Sequence, residues 1–236
     1  MKGKEWYQAS EVAEAYEDKR FSRGGQLVDR REREAVLSAL GPVEDKNILE
    51  IAAGTGRFSV MLAGAGADVV GLDISMPMLS HGLEKSRQTE VDGSVSFVRG
   101  DAARLPFPDD HFDAVFAMRF FHLAPTPEEF LAEMRRVVDG PILFDTFNSP
   151  SSRSVYNWLL PMGSRLYSES DVKALLESAG LELDRVEHDF LVPYGCYRVL
   201  PDIIARPIRR LDTLIGRTNA GNRVASVSFW RTVEST

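Results

Sequence analysis

Two glycines and a carboxylate are spaced along the chain as in a nucleotide-binding site. An apolar run from Ile48 ends in a turn containing Gly54 and Gly56, and a second apolar run ends at Asp73. Asp73 lies 17 residues after Gly56, close to the ~20-residue spacing of nucleotide-binding strand–helix–strand units. Such glycines let a ligand approach bare backbone, and a carboxylate at the next strand tip can accept both hydrogen bonds of a ribose diol. The pattern predicts an adenosine-containing cofactor.

Two classes of cofactor compete for this turn. Dinucleotide-binding turns carry a third glycine that allows close packing of helix on strand, and this chain has Ser59 at that position. Glu50, inside the strand before the turn, is poorly suited to a pyrophosphate but suits a cationic amino-acid end, as in S-adenosylmethionine. These two residues count against a nicotinamide-dependent oxidoreductase, which stays open as the less favoured alternative.

The glycine turn resembles that of class I S-adenosylmethionine-dependent methyltransferases. The similarity is greatest to the small-molecule branch that includes the ubiquinone and menaquinone biosynthesis C-methyltransferases. The family pattern, acidic-x-Gly-x-Gly-x-Gly, appears here as Glu50-x-Ala52-x-Gly54-x-Gly56, with alanine in place of the first glycine. Because alanine is the smallest substitute, we expect tighter contact at Ala52 rather than lost binding.

A second stretch carries the same resemblance. It runs from Phe97 through Asp101 to the Phe-Asp113-Ala-Val segment that precedes the fourth predicted strand. The similarity covers residues 35–146 well and the rest of the chain weakly. It implies methyl transfer from S-adenosylmethionine, leaving S-adenosylhomocysteine, to an oxygen, carbon or nitrogen of an apolar or aromatic small molecule. A non-catalytic S-adenosylmethionine-binding protein remains a further alternative.

The resemblance also implies a set of cofactor-binding residues. Asp73 is assigned to the ribose, although it or Ser75 could cap the next helix, and Met78 could equally be core. The expected set is Glu50, Ala52, Ala53, Gly54, Thr55, Gly56, Asp73, Ile74, Met78, Asp101, Ala102 and Met118.

One histidine is placed where methyl transfer would occur. His122 closely follows the fourth predicted strand, and it is a candidate general base for a hydroxyl acceptor. The four histidines show no metal-ligand spacing, so no metal is expected. Candidate substrate contacts are the aromatic residues Tyr16, Phe121, Tyr156, Trp158 and Tyr194.

Length and composition limit the class of protein. The 236 residues, 44% of them hydrophobic, fit one globular α/β domain. The net charge of −7, from 28 basic and 35 acidic residues, argues against nucleic acid as the substrate. Cys196 is the single cysteine, and no long apolar run or apolar leader is present, so we expect a cytoplasmic protein without a transmembrane segment. The oligomeric state is left open.

The predicted fold class is α/β. Strands near 47–52, 68–73, 95–99, 112–118, 141–146, 182–191 and 224–232 alternate with helices near 27–40, 57–65, 75–87, 126–138 and 169–179. This alternation predicts a parallel sheet with helices on both faces. The resemblance implies a Rossmann-like sheet of seven mostly parallel strands, with one antiparallel strand in the last pair. The single domain would have its core at about 35–146, 169–191 and 224–236.

Three stretches stand outside this rhythm, at about 1–26, 147–168 and 192–223. They are rich in aromatic residues, and we expect them to converge over the reacting methyl group. Four arginines, Arg206, Arg209, Arg210 and Arg217, lie in the last stretch. A solvated amphipathic helix explains them most simply, and contact with an anionic ligand or a membrane surface is the alternative.

Overall fold

Seven strands form a single sheet in the part of the chain that the structure describes. The computed structural model describes residues 24–159, 164–216 and 218–235. The strands are β1 Asn47–Ile51, β2 Asp68–Asp73, β3 Ser94–Arg99, β4 Ala114–Ala117, β5 Ile142–Phe147, β6 Leu181–Asp189 and β7 Val227–Glu234. Their order is β3-β2-β1-β4-β5-β7-β6. Only β7 runs antiparallel to its neighbours, β5 and β6, which confirms the expected mostly parallel sheet.

Helices cover both faces of this sheet. They are α1 Gly25–Leu40, α2 Arg57–Ala63, α3 Met76–Gln88, α4 Pro127–Arg136, α5 Ser152–Leu159, α6 Glu169–Ser178, α7 Tyr194–Val199, α8 Asp202–Gly216 and α9 Asn219–Val224. Neighbouring strand residues alternate between two hydrophobic clusters, Ile48 joining α1 and α2 and Leu49 joining α4 and α6. This alternation follows from the two-residue repeat of a strand, and it explains why the strands are apolar throughout.

Element ends differ from the sequence prediction by a few residues. The fourth strand was predicted over 112–118 and spans only Ala114–Ala117. Phe112 instead makes an isolated bridge to Val138, just after the end of α4, so this stretch pairs with a loop before the regular strand begins.

The strand order reverses between β1 and β4. The chain builds β1, β2 and β3 outward in one direction and then crosses to β4 and β5 on the other side. In open α/β sheets, ligands bind outside the carboxyl ends of the strands at such a switch point. The glycine turn after β1 and the segment after β4 therefore face each other across the expected binding crevice.

The segments after β5 and β6 carry the extra helices. Helix α5 lies within 147–168, α7 and α8 lie within 192–223, and α9 begins in that stretch and ends one residue beyond it. Tyr194 and Tyr197 of α7 are buried in the same hydrophobic cluster as α1 and α2, so these residues of the expected cover segment belong to the core. The first expected cover segment lies, through residue 23, outside the described residues. Among the described helices none combines the length and apolar character needed to span a membrane.

Candidate cofactor and acceptor site

The turn after β1 presents open backbone. Ala53 N donates to Leu72 O at 3.0 Å, which ties the turn to the end of β2. Gly54 has φ of +57°, and no heavy atom lies within 4 Å of the place where a Cβ would stand. A ligand can therefore approach this residue along bare backbone.

Ala52 adopts the conformation that the family assigns to glycine. Its φ is +55°, in the left-handed region that costs an L-residue roughly 1–2 kcal/mol. The glycine of the family pattern is thus explained by backbone geometry, and alanine is tolerated here at a cost in strain.

Asp73 is held by backbone N–H groups from two directions. Gly54 N donates to Oδ2 and Ser75 N donates to Oδ1, each at 2.8 Å. Burial raises the pKa of the Asp73 carboxyl, opposed by these hydrogen bonds. Each oxygen retains a second lone pair, so the carboxylate is oriented to accept two hydrogen bonds from a diol. Ser75 caps α3 by accepting from Met78 N at 3.4 Å, which leaves Asp73 free of that role.

Glu50 is buried beneath the glycine turn. It is 2% exposed, and Ser59 Oγ donates to Oε2 at 2.5 Å. Burial raises the pKa of the Glu50 carboxyl to about 7, against the opposing effects of the Ser59 hydrogen bonds and the Arg57 charge. The residue that replaces the third dinucleotide-turn glycine is therefore the partner of this carboxyl.

The ends of β3 and β4 border the same crevice. Asp101, two residues beyond β3, is exposed, and its Oδ1 accepts from Ala103 N at 3.0 Å. Ala102 and Met78 are almost fully buried, as is Met118 at the end of β4. The strand order places Asp101, Asp73, the glycine turn and Met118 along one edge in that sequence.

Arg119 follows β4 in a strained conformation. Its φ is +63°, and its backbone N donates to Asp145 Oδ1 at 2.5 Å. Asp145 lies within β5 and is 2% exposed, so a buried carboxylate maintains this backbone shape. Strain of this kind is concentrated at functional sites in proteins. The sequence analysis did not identify either residue.

A buried carboxylate on α1 joins the two sides of the crevice. Glu32 accepts from Arg57 Nη2 at 2.5 Å and from Arg119 Nη1 at 3.2 Å. Arg57 directly follows Gly56, and it also donates to Asp29 of α1. The three residues Glu32, Arg57 and Arg119 are called the ion-pair cluster below. The spacing of Asp29 and Glu32, three apart on one helix face, is the signal that sequence analysis could have used.

Aromatic rings surround the outer part of this cluster. The guanidinium of Arg119 lies 4.5 Å from the Tyr194 ring centroid and 5.0 Å from that of Phe147. The centroid of the His122 ring lies 4.5 Å from that of Phe147. Tyr194 is 1% exposed, and burial raises its pKa well above the ordinary value. The rings of His122 and Tyr194, two predicted site residues, therefore both contact Phe147.

Two buried polar atoms at this place have no hydrogen-bond partner within the described part of the chain. They are the Tyr194 hydroxyl and Arg119 Nε. A buried polar atom without a partner costs roughly 1–3 kcal/mol. Both are donors, and a ligand with acceptor oxygens would satisfy them.

Comparison with known proteins bears on this geometry. Residues 49–140, which contain the glycine turn, Asp73, Asp101 and Arg119, match the family model described as "Methyltransferase domain". The match includes β1 to β4 and ends shortly after α4.

Curated relatives of the chain are also named as methyltransferases. The chain is 41% identical over 132 residues to a demethylmenaquinone methyltransferase of Renibacterium salmoninarum, covering 54% of this chain and 53% of the relative. It is 37% identical over 153 residues to a ubiquinone/menaquinone biosynthesis C-methyltransferase of Pseudomonas aeruginosa, covering 58% and 59% of the two chains. The chain thus spans little more than half the length of these relatives.

Solved structures share the fold of most of this chain. A magnesium protoporphyrin IX methyltransferase from Synechocystis, crystallised with S-adenosylhomocysteine, gives a TM-score of 0.65 at 19% identity, covering 90% of this chain and 84% of that one. A possible histamine N-methyltransferase from Thermotoga maritima gives 0.67 at 18% identity, covering 98% and 99%. At such identities the likeness shows the fold alone, a Rossmann-like α/β sheet.

The remaining predicted substrate residues differ in burial. The Phe121 ring is fully buried against Phe144, with ring centroids 4.5 Å apart, which favours a packing role. Trp158 is 82% exposed on α5. Tyr16 and the side chain of Tyr156 lie outside what the structure describes. No metal-binding group of acidic, histidine or cysteine side chains occurs among the described residues.

Proposed function

We propose that this protein transfers a methyl group from S-adenosylmethionine to an apolar or aromatic small molecule. The observation that carries the proposal is the pair formed by Gly54 and Asp73. Open backbone and an oriented carboxylate stand side by side at the strand-order switch point. A carboxylate accepting from a diol is the chemistry that a ribose requires.

The other two carboxylates, Glu50 and Asp101, are proposed to contact opposite ends of the cofactor. Glu50 faces the cationic amino-acid end, while the adenine lies near Asp101, Ala102 and Met78. The expected contacts are Glu50, Ala52, Ala53, Gly54, Thr55, Gly56, Asp73, Ile74, Met78, Asp101, Ala102 and Met118. Glu50 lies near the end of β1 and Met78 in the first turn of α3, and the others belong to the turn after β1 or to segments at the carboxyl ends of β2, β3 and β4.

The acceptor is proposed to lie beside His122, which is partly exposed at the outer side of the buried Phe147 ring. S-adenosylmethionine supplies a methyl group already activated by its sulfonium, so the chain mainly orients the acceptor and excludes water. Arg119 and the Tyr194 hydroxyl offer donors to an acceptor oxygen, and His122 can take its proton. Together with the names of the relatives, this environment favours a quinol-type ring that develops negative charge on oxygen.

We further propose a cytoplasmic setting for this reaction. The 236 residues contain one cysteine, Cys196, which is half-buried in α7. It has no partner within this sequence for a disulfide, as is usual for proteins of reducing compartments.

A turnover assay tests the proposed function directly. The protein is incubated with S-adenosylmethionine and a reduced prenylated naphthoquinone, and S-adenosylhomocysteine and methylated product are measured together. We expect both products in equal amounts. Tight binding of S-adenosylhomocysteine without turnover of this acceptor or of a catechol would favour a non-catalytic binding protein instead. Binding of NADH in place of S-adenosylhomocysteine would favour the oxidoreductase alternative.

Asp73→Ala is expected to weaken S-adenosylhomocysteine binding about 10- to 150-fold. The native protein should bind with micromolar affinity, about −8 kcal/mol. Loss of a charge-assisted pair of hydrogen bonds costs roughly 1.5–3 kcal/mol. Isothermal titration calorimetry measures the change. Asp68→Ala is the matched control, because Asp68 begins the same strand at its opposite end and is exposed. Equal affinities for both variants would remove the ribose assignment.

His122→Ala is expected to bind the cofactor normally and to turn over a hydroxyl acceptor at least about tenfold more slowly. General base catalysis typically contributes 10²–10⁴-fold. A histidine acts as a base only when neutral, so the acidic limb of the pH–rate profile should disappear with it. His111→Ala is the control, since His111 precedes β4 and lies at the opposite end of the sheet. Superimposable profiles for His122→Ala and the native protein would reduce His122 to a packing residue.

A further inference from the structure

Helix α8 turns its apolar side chains toward solvent. Ile203 is 83% exposed, Leu214 is 65% exposed and Leu211 is 60% exposed. At 100° per residue these side chains fall on one face of the helix. The whole set, called the α8 face, is Ile203, Ile204, Pro207, Leu211, Leu214 and Ile215.

The opposite side of α8 attaches the helix to the protein through polar contacts and two apolar side chains. Ala205 is fully buried in the hydrophobic cluster that includes α1 and α2, and Ile208 packs against that cluster. Asp212 is 4% exposed; it accepts from Leu191 N at 2.6 Å and from the Tyr197 hydroxyl at 2.5 Å. Arg209 donates to both oxygens of Asp189 at 2.7 Å. A surface helix of a globular protein normally buries its apolar stripe. Most apolar side chains of this helix instead face solvent, so its attachment to the rest of the protein does not require the α8 face.

Exposed arginines border the α8 face. Arg206 and Arg210 are both exposed, and Arg206 is 3.5 Å from Asp202 in the same helix. Viewed down the helix axis they follow Ile203 on the side away from Ile204. Arg209 is committed to Asp189, so the three described members of the arginine cluster divide into one structural and two exposed residues, and Arg217 lies outside the described residues. The border is basic although the protein carries a net charge of −7.

A second apolar helix attaches at the same point of the fold. Ser152 Oγ, at the start of α5, donates to Leu191 O, while Leu191 N donates to Asp212 of α8. Helix α5 ends with Trp158 and Leu159, which are 82% and 64% exposed. Leu191 follows β6, which is parallel to β5, so both helices attach at the sheet edge that carries the candidate site.

We propose that the α8 face docks on an anionic lipid surface. Protruding aliphatic side chains with arginines beside them match the pattern of helices that lie in a membrane interface. Lipid phosphates would pair with Arg206 and Arg210. A second copy docked symmetrically would instead bring the same residues of two chains together, with these arginines near like charges. The proposal does not depend on the transfer reaction, although docking would bring the candidate site toward acceptors dissolved in the lipid.

Vesicle sedimentation tests the proposal on the full chain. Vesicles of phosphatidylcholine with phosphatidylglycerol are compared with vesicles of phosphatidylcholine alone, and we expect the protein to prefer the first. Ile203→Ser/Leu211→Ser/Leu214→Ser should weaken binding to both kinds at least about tenfold. Arg206→Gln/Arg210→Gln should weaken binding to the anionic vesicles by about 20- to 30-fold. Neither set touches the protein core, and thermal unfolding monitors their folding.

Leu37→Ser/Leu83→Ser is the matched control. Both leucines are exposed, at 39% and 40%, on α1 and α3, and their replacement should leave vesicle binding unchanged. Native protein that fails to sediment with anionic vesicles would overturn the proposal, as would equal loss in the control. A native dimer that the serine variant dissociates, without vesicle binding, would show that a second copy covers the α8 face and would also overturn it.

Discussion

Glu32→Ala is expected to lower the free energy of unfolding by about 3–5 kcal/mol, the range for removing one partner of a buried ion pair. Glu32 is fully buried, and its two oxygens accept from Arg57 and Arg119 at 2.5 and 3.2 Å. Without this carboxylate, two guanidinium groups remain close together in a place that water reaches poorly. Because small domains are stable by only about 5–15 kcal/mol, the change should be evident in urea denaturation.

Two further variants isolate the cause of this effect. Glu34→Ala removes an exposed carboxylate from the same helix, and its free energy of unfolding should stay within about 0.5 kcal/mol of native. Glu32→Gln keeps the shape and one acceptor oxygen but loses the charge, so it should fall between the two alanine variants. A Glu32→Ala protein as stable as Glu34→Ala would contradict the assigned role of the ion-pair cluster.

The pH dependence of stability should reveal the buried Glu50 carboxyl. Its pKa is raised from 4.5 to about 7 in the folded protein, so the native state retains a proton that the unfolded state has lost. This contribution to stability is fully present below pH 4.5 and is lost as the pH rises through 7. The expected loss between roughly pH 5 and pH 8 is about 2–3 kcal/mol.

Comparison with Glu50→Gln separates this effect from other titrating groups. Glutamine keeps an acceptor for the Ser59 hydroxyl but carries no proton to lose, so the variant should gain stability relative to native protein as the pH rises. Unfolding free energies are measured by urea denaturation at each pH. Glu182→Gln, at an exposed position of β6, should show a difference from native that does not change with pH. A constant difference for Glu50→Gln as well would contradict the raised pKa.

Residues close together in sequence account for what could be predicted of the cofactor side. The turn with Gly54 and Gly56, the strand ending at Asp73 and the buried position of Glu50 all follow from local pattern. Apolar runs, turn glycines and residues at strand ends are properties of short segments. The parallel sheet then follows because strands alternate with helices, and so does the meeting of these residues at one edge.

The acceptor side depends on residues far apart in the chain. Glu32 meets Arg119 across 87 positions, and Arg119 receives support from Asp145 of the next strand. Single polar residues of this kind carry no periodic signal in the sequence. Their role depends on which residue they contact, and that contact is determined by how the elements pack. For the same reason the sequence does not distinguish the aromatic residues Phe121 and Tyr194. In the structure, Phe121 packs against Phe144 in the core, whereas Tyr194 lies beside Arg119.

The sequence by itself determined the α/β class, the order of the elements and the carboxylates around the glycine turn, because each follows from a local repeat or a backbone requirement. The tertiary structure decided which charges are buried together and which side of α8 faces solvent. Amphipathic spacing shows that a helix has two faces but not which one the protein covers. For α8 the answer came from Asp212 and Arg209, whose polar contacts hold the helix and leave its aliphatic face exposed.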